Sequence, residues 1–233
     1  MIDSQKTGEK ESYITKLINF LYRNRFILLG FLIMVIVFIV GSAVFFELRK
    51  GRIEKSTRMV EMLEEDYRVW EAKEEGEDKN KLEENLTTSL KRIIEKYPRL
   101  YAAQRAYILL ANISFNKEEW DKAAEYFITL SESFPESYLA PVGLANAAIS
   151  YEAKGEIDNA VETLQILANT YSDTFPEMPH IYFNLGRLYE EIKDYSRAAE
   201  SYNKLIDNYS NSNWTKLAKD RIIFLTVEGK IQE

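Results

Sequence analysis

The sequence predicts an all-α protein in which a single N-terminal transmembrane helix is followed by an α-solenoid of about three helical hairpins plus flanking helices. Two observations predict this fold. One is an apolar run of 21 residues without a charge, and the other is a helix–turn–helix pattern that recurs every 37 or 38 residues. The chain has 233 residues, of which 46% are hydrophobic and 29% are charged, as is ordinary for a chain that folds.

The apolar run, residues 26–46, predicts a membrane-spanning helix. At ~1.5 Å per residue it spans about 31 Å, which matches a hydrocarbon core of ~30 Å. A buried core helix is one alternative. A cleaved signal peptide is another, because Gly41, Ser42 and Ala43 are small residues before Val44. An uncleaved anchor is favoured over it, because a long leader precedes the run and apolar residues follow the possible cut.

Residues 1–25 form a leader in which four apolar residues recur at helical spacing. Ile14, Leu17, Ile18 and Leu21 indicate a short helix in the membrane interface. The alternative is that they continue the anchor helix.

The charges beside the run do not decide its orientation, because each flank carries five positive residues. They are Lys6, Lys10, Lys16, Arg23 and Arg25 before it, and Arg49, Lys50, Arg52, Lys55 and Arg58 after it.

Residues 47–81 are predicted to form a helical stem and a charged linker. A stripe of apolar residues predicts a helix from Arg52 to Lys73, and residues 72–81 read as an exposed, mobile linker. The stripe fills only about two heptads, so packing on the following domain is favoured over a coiled coil. Its members are Ile53, Val60, Leu63, Tyr67 and Trp70.

Residues 82–233 contain three helix–turn–helix segments. A small residue recurs in the second helix of each segment, at Ala123, Ala160 and Ala198, with spacings of 37 and 38. Such a residue allows the two helices of a hairpin to approach closely. Bulky residues accompany it at fixed offsets, namely Trp120, Ile157 and Tyr195 before it and Phe127, Leu164 and Tyr202 after it.

This pattern resembles the tetratricopeptide repeat (TPR). The third segment matches best, with Leu185, Gly186, Tyr189, Tyr195, Ala198 and Tyr202 on signature positions. In the second, Ala148 stands at the glycine position. The first lacks the glycine and has Ser114 where an aromatic residue is usual.

Two further helices are predicted to flank the repeats. An opening helix contains Leu86, Leu90, Ile93, Ile94 and Tyr97, and a capping helix contains Leu217, Ala218, Ile222 and Leu225.

The order of leader, anchor, stem and repeats resembles the YfgM-like family of bacterial inner-membrane TPR proteins. This resemblance implies a single-pass inner-membrane scaffold with a periplasmic TPR domain, linked to protein export through the translocon or periplasmic chaperones. Two alternatives stay open: a cytoplasm-facing adaptor that tethers a soluble complex to the membrane, and a self-assembling structural envelope protein, which would be a homo-oligomer.

Composition argues against most enzyme classes. The chain has no cysteine and one histidine, His180, which excludes thiolate metal sites, cysteine nucleophiles and multi-histidine metal sites. No phosphate-binding glycine motif occurs, and the net charge of −7 argues against nucleic-acid binding. We therefore predict no catalytic residues, no cofactor and no metal, and expect partners that are proteins or peptides.

The TPR resemblance implies that the first helices of the hairpins line a concave groove for such partners. Any stack of this kind has such a face, so its use stays open. The residues implied to face the groove are Arg105, Ile108, Asn112, Asn116, Ile149, Glu152, Phe183, Arg187 and Glu191.

Overall fold

The computed structural model describes residues 3–232, and its side chains from residue 13 onward. The described part contains ten helices and divides into two compact units after Lys55. The helices are α1 (Asp3–Arg23), α2 (Arg25–Ala72), α3 (Glu77–Lys96), α4 (Tyr101–Asn116), α5 (Trp120–Ser133), α6 (Leu139–Lys154), α7 (Ile157–Tyr171), α8 (Met178–Glu191), α9 (Tyr195–Asn208) and α10 (Asn213–Val227).

In the first unit, α1 and α2 meet at Asn24 without losing helical hydrogen bonds. The Asn24 N–H donates to the carbonyl of Phe20 at 3.0 Å, and the Leu28 N–H donates to the carbonyl of Asn24 at 2.9 Å. Both bonds join residues four apart, as in an α-helix. This bonding favours the second reading of the leader, as a continuation of the anchor helix.

Helix α2 is long and apolar enough in its first part to span a membrane by length and composition. None of its most apolar stretch is buried, so the described structure contradicts the core-helix alternative. The predicted stem helix is present as the C-terminal part of α2, which runs without a break from Arg25 to Ala72. The residues after the apolar run include good helix formers such as Glu, Lys, Arg and Met, and no proline interrupts them.

The second unit, residues 56–232, is called the repeat domain below. It includes the end of α2, whose Val60 and Trp70 are buried with Leu86, Leu90 and Ile93 of α3. The predicted packing of the stem on the following domain is therefore confirmed. The predicted ten-residue linker is wrong, because α3 begins at Glu77 and only residues 73–76 separate it from α2.

Helix α3 is the second helix of an additional hairpin, whose first helix is the end of α2. The predicted opening helix is present as α3, and the compact unit that contains it begins at Ser56, before the predicted domain start at residue 82. The spacing of buried residues relates α3 to the second helices of the other hairpins. Ile93, Leu130, Leu167 and Leu205 are spaced by 37, 37 and 38 residues, and each has an exposed fraction of 0%. Leu86 takes the place of the alanine in the other hairpins, and α2 and α3 lack the close backbone approach seen in those hairpins.

The three predicted hairpins are α4/α5, α6/α7 and α8/α9. Each hairpin also has a buried small residue in its first helix, twelve residues before the repeated alanine of its second helix. These residues are Ala111, Ala148 and Gly186. The first hairpin therefore has its own small contact residue, Ala111, which the comparison with glycine missed. Ser114 is buried in the same helix, so a small polar side chain replaces the expected aromatic ring.

The turns inside the hairpins share a left-handed residue at the repeat spacing. Glu118, Gly155 and Lys193 have φ angles of 59°, 85° and 64°. Glycine adopts this conformation at little cost, whereas the other two positions carry some strain.

The loops between hairpins are joined by a repeated hydrogen bond. The hydroxyl of Tyr171 donates to the carbonyl of Pro135 at 3.0 Å, and the hydroxyl of Tyr209 donates to the carbonyl of Ser172 at 3.4 Å. Phe134 occupies the equivalent position in the α4/α5 hairpin and has no hydroxyl to donate.

Helix α10 closes the described repeat domain. Ala218 and Leu225 are fully buried, as predicted for a capping helix, and Ile222 is half-buried. Leu217 lies in the same helix, as predicted, with its side chain 45% exposed. The part-buried carboxylate of Glu190 in α8 holds α10 by accepting hydrogen bonds from Arg221.

Candidate protein-binding face

The predicted groove residues lie on α4, α6 and α8, the first helices of the three hairpins. On each helix they are separated by three or four positions, which places them on one side of that helix. We call the surface that these side chains form the first-helix face.

On α4, two of the predicted residues are occupied by the end of α2. The Arg105 Nε donates to Glu64 Oε1 at 2.6 Å, and the Asn116 Nδ2 donates to the Tyr67 hydroxyl at 3.1 Å and to Glu71 Oε1 at 3.3 Å. Burial, together with the adjacent Glu71 carboxylate, raises the pKa of Tyr67 to about 12, so it stays a neutral phenol. These side chains hold α2 against α4 and are not free for a partner.

Across α6 and α8, the charged residues of the face neutralise one another. Arg187 Nη2 donates to Glu152 Oε2 at 2.7 Å, and Arg187 Nη1 lies 3.8 Å from Glu191 Oε2. Half-exposed pairs of this kind contribute little to stability, under about 1 kcal/mol each. Because Arg187 pairs with these glutamates and Arg105 pairs with Glu64, neither arginine is free to bind an acidic partner.

The middle of the face is mainly apolar. Ile149 on α6 is 46% exposed, and Ile108 on α4 is half-buried. Asn112 holds the same repeat position as Ile149, and its half-exposed amide has no hydrogen-bond partner within the described residues. An exposed apolar side chain on one hairpin and a free amide at the same repeat position of another can bind apolar and backbone groups of a peptide.

On α8 the face ends in an aromatic cluster that includes the predicted residue Phe183. Its ring centroid lies 5.2 Å from that of Trp214 and 5.7 Å from that of Tyr202. His180 stacks on Trp214 at 4.3 Å, and burial lowers the pKa of its imidazole, so the ring is neutral at pH 7. Phe183 is therefore largely a packing residue at the edge of the core.

Sequence reasoning missed the partners that occupy the face. Glu64, Tyr67 and Glu71 recur at offsets of three and seven on α2, so a polar stripe beside the apolar stem residues was visible in the sequence. Trp214 follows Tyr209 by five residues, and no repeat-based signal marks it. No group of acidic or histidine residues suited to a metal ion occurs in the part of the chain that the structure describes.

The repeats of this chain are similar to those of known proteins. Residues 145–213 match the family model described as tetratricopeptide repeat. This segment carries tetratricopeptide repeats. It begins within α6 and ends at the start of α10, so it covers the two hairpins whose sequences fit the pattern best. The TPR resemblance is confirmed there, and a link to the YfgM-like family is not part of the match.

A curated relative is a TPR repeat-containing protein of Treponema pallidum (strain Nichols). It is 30% identical over 129 residues, which cover 55% of this chain and 53% of that protein. The chain thus spans about half the length of the curated relative.

Similar crystal structures show the fold. Nearly identical TPR-like repeats from Podosopora anserina align with a TM-score of 0.53 at 13% identity, covering 76% of this chain and 90% of that one. A variant of the same repeats gives 0.55 at 15% identity, covering 76% and 89%. The Sgt2 TPR domain from Aspergillus fumigatus gives 0.42 at 23% identity, covering 56% and 85%. The two Podosopora anserina structures, with TM-scores above 0.5, confirm the all-helical TPR-like solenoid.

Proposed function

We propose that the protein is a membrane-anchored scaffold whose repeat domain binds another protein on the first-helix face. TPR repeats form protein–protein interaction modules, which supports a binding role over catalysis. The observation that carries the proposal is the exposed Ile149, which holds the same repeat position as the unpaired amide of Asn112. An exposed apolar side chain with a free polar group nearby gains stability when a partner covers both.

The anchor is residues 26–46 of α2. Their length, their lack of charge and the exposure of their apolar side chains all support a membrane-spanning helix. The helical backbone also continues through Gly41, Ser42 and Ala43, where a signal peptidase would need an accessible site.

We place the anchor in a bacterial inner membrane, with the repeat domain in the periplasm and partners among translocon components, periplasmic chaperones or exported clients. The resemblance in overall architecture to the YfgM-like family supports this placement. The cytoplasm-facing adaptor and the self-assembling structural protein are the alternatives that the following experiments separate.

A photoreactive amino acid at Ile149 should form cross-links to a partner protein in living cells of the native host. The matched control is the same replacement at Ile166 on α7, a second helix of a hairpin. Ile166 is the same residue type and is 49% exposed, close to the 46% of Ile149. We expect discrete cross-linked bands from Ile149 that are absent from Ile166, identified by mass spectrometry.

Equal cross-linking from both positions, or none from Ile149, would contradict binding on the first-helix face. Cross-links from Ile149 to a second copy of the chain would favour the self-assembling alternative.

Membrane topology is tested by protease treatment of cells whose outer envelope is permeabilised. The periplasmic placement predicts that the repeat domain is digested while a cytoplasmic marker protein survives, and that the full chain resists alkaline extraction from membranes. Protection until the inner membrane is lysed would instead support the cytoplasm-facing adaptor. Release by alkaline extraction would contradict the anchor itself.

A further inference from the structure

A cleft of the repeat domain lies between two loops that join successive hairpins and extends to the first turn of α6. It has a volume of about 690 Å³. Its walls come from the α5–α6 loop, residues 134–138, and the α7–α8 loop, residues 172–177. Aromatic rings and prolines dominate the lining, namely Tyr138, Tyr171, Phe175, Pro135, Pro141 and Pro176.

Tyr138 forms a ridge at the edge of this cleft. Its side chain is 68% exposed, and it also lines a second cleft of about 490 Å³ that includes Tyr101. Two apolar slots separated by an exposed aromatic ring suit a peptide in the polyproline II conformation. Such a peptide has three residues per turn and presents its prolines at regular intervals along one edge.

The α5–α6 loop is fixed by contacts on both sides, so the cleft is preformed. The hydroxyls of Tyr138 and Tyr101 lie 3.1 Å apart, and the Ser137 Oγ donates to the Gln104 Oε1 at 2.6 Å. On the other side, the Tyr171 hydroxyl donates to the Pro135 carbonyl. A preformed cleft and a preformed polyproline II ligand both lose little conformational entropy on binding.

The electrostatic environment of the cleft is acidic. Glu136 and Glu177 line it, and neither makes an ion pair within the described residues. Glu136 and Tyr171 line the same cleft, and burial together with the charge of Glu136 raises the pKa of Tyr171. The sequence has no lysine or arginine from 123 to 153 or from 155 to 186. Arg105 reaches the edge of the cleft, where it donates to the Tyr101 hydroxyl at 3.4 Å, but its charge is already paired with Glu64.

We infer that this cleft binds an extended, proline-rich segment of another protein that carries a basic residue beside its prolines. The rings of Tyr138, Tyr171 and Phe175 contact the prolines, and Glu136 and Glu177 pair with the basic residue. The cleft adjoins the N-terminal end of the first-helix face, because Val142 in its lining lies two turns before Ile149 on the same side of α6, and Ile149 itself is not among the lining residues.

The test uses the full chain in detergent micelles and a fluorescein-labelled peptide of eight prolines with an arginine at each end, followed by fluorescence anisotropy. Two comparison peptides are an eight-proline peptide with glutamate ends and an arginine-ended peptide of eight alternating glycines and serines. We expect the arginine–proline peptide to bind at least about tenfold more tightly than either. Tyr138→Ala should weaken its binding about fivefold or more, while Tyr138→Phe should retain it.

Glu136→Lys combined with Glu177→Lys should shift the preference toward the glutamate-ended peptide. The matched control is Glu125→Lys, an exposed charge reversal on α5 outside the cleft, which should leave binding unchanged, as should Ile149→Ala on the first-helix face. Circular dichroism checks that each variant keeps its helical content.

Three results would overturn the inference. They are no saturable binding of the arginine–proline peptide, equal binding of the glycine–serine peptide, and loss of binding with Ile149→Ala but not with Tyr138→Ala. The first two results carry no information on a partner bound at Ile149, and the third would move the peptide to the first-helix face, so failure of this inference is distinguishable from failure of the proposed function.

Discussion

Replacing Gly186 with alanine should lower the free energy of unfolding of the repeat domain by about 3 kcal/mol. An alanine Cβ at this position would lie 2.7 Å from Cδ1 of Tyr202, closer than Cβ atoms are found to other groups. The Tyr202 ring cannot move aside easily, because it is fully buried and its hydroxyl donates to Glu190 Oε1 at 2.7 Å. Helices α8 and α9 must therefore separate, which loosens the packing around both.

The measurement is urea unfolding of the full chain in micelles, followed by circular dichroism. Gly51→Ala is the control, because it lies in the same chain, in α2, with nothing within 4 Å of the added Cβ. It should leave the unfolding midpoint of the repeat domain unchanged. If Gly186→Ala also leaves it unchanged, the close contact is not required by the fold. In a Tyr202→Leu background, Gly186→Ala should lower the free energy of unfolding by less than it does in the wild type, because the ring that it would meet is absent.

Replacing Glu190 with alanine should release α10 from the repeat domain, at a cost of about 2 kcal/mol. The change removes the acceptor for the buried Tyr202 hydroxyl and for Arg221, whose Nε donates to Glu190 Oε1 at 2.9 Å. Hydrogen exchange of the α10 amides measures the effect and should become about tenfold faster or more. The neighbouring variant Glu191→Ala is the control, because its carboxylate is half-exposed and makes only a long contact to Arg187.

Equal exchange in the two variants would contradict the role of Glu190.

The carboxylate of Glu190 also makes the attachment of α10 depend on pH. Burial opposes its ionisation, but hydrogen bonds from Arg221 and Tyr202 outweigh this and lower its pKa below the ordinary 4.5. A carboxylate with a lowered folded pKa stabilises the fold above its unfolded pKa and loses that contribution as the pH falls through the folded value. Attachment of α10 should therefore weaken below about pH 4.5 in the wild type and not change further in Glu190→Ala.

Much of the fold was predictable because close helix contacts need small residues at a fixed spacing. Ala123, Ala160 and Ala198 identified three hairpins for this reason. The additional hairpin was missed for two reasons. Leu86 stands where the other hairpins have alanine, and the first helix of this hairpin is the end of α2, the same helix that contains the apolar run. Its later positions, Leu90 and Ile93, kept the 37-residue spacing and were the available signal.

The linker was mispredicted because charge was taken as a sign of disorder. Residues 77–81 are mostly good helix formers, and the acidic residues Glu77 and Asp78 in the first turn favour the helix dipole. The groove residues were implied by the TPR resemblance, and their spacing of three or four places those of each helix on one side of it. The sequence could not show that Arg105 pairs with Glu64 or Arg187 with Glu152, because those contacts depend on how separate helices pack together.

The end of α2 belongs to the repeat domain, and this limits where a protease can cut the chain without damaging that domain. A cut among the basic residues Arg49, Lys50, Arg52 and Lys55 leaves every buried residue of the repeat domain on the released fragment. A cut between residues 73 and 76 instead removes Val60 and Trp70 and exposes the apolar surface of α3. A proteolytic fragment that keeps all of these buried residues together therefore requires cleavage before Ser56.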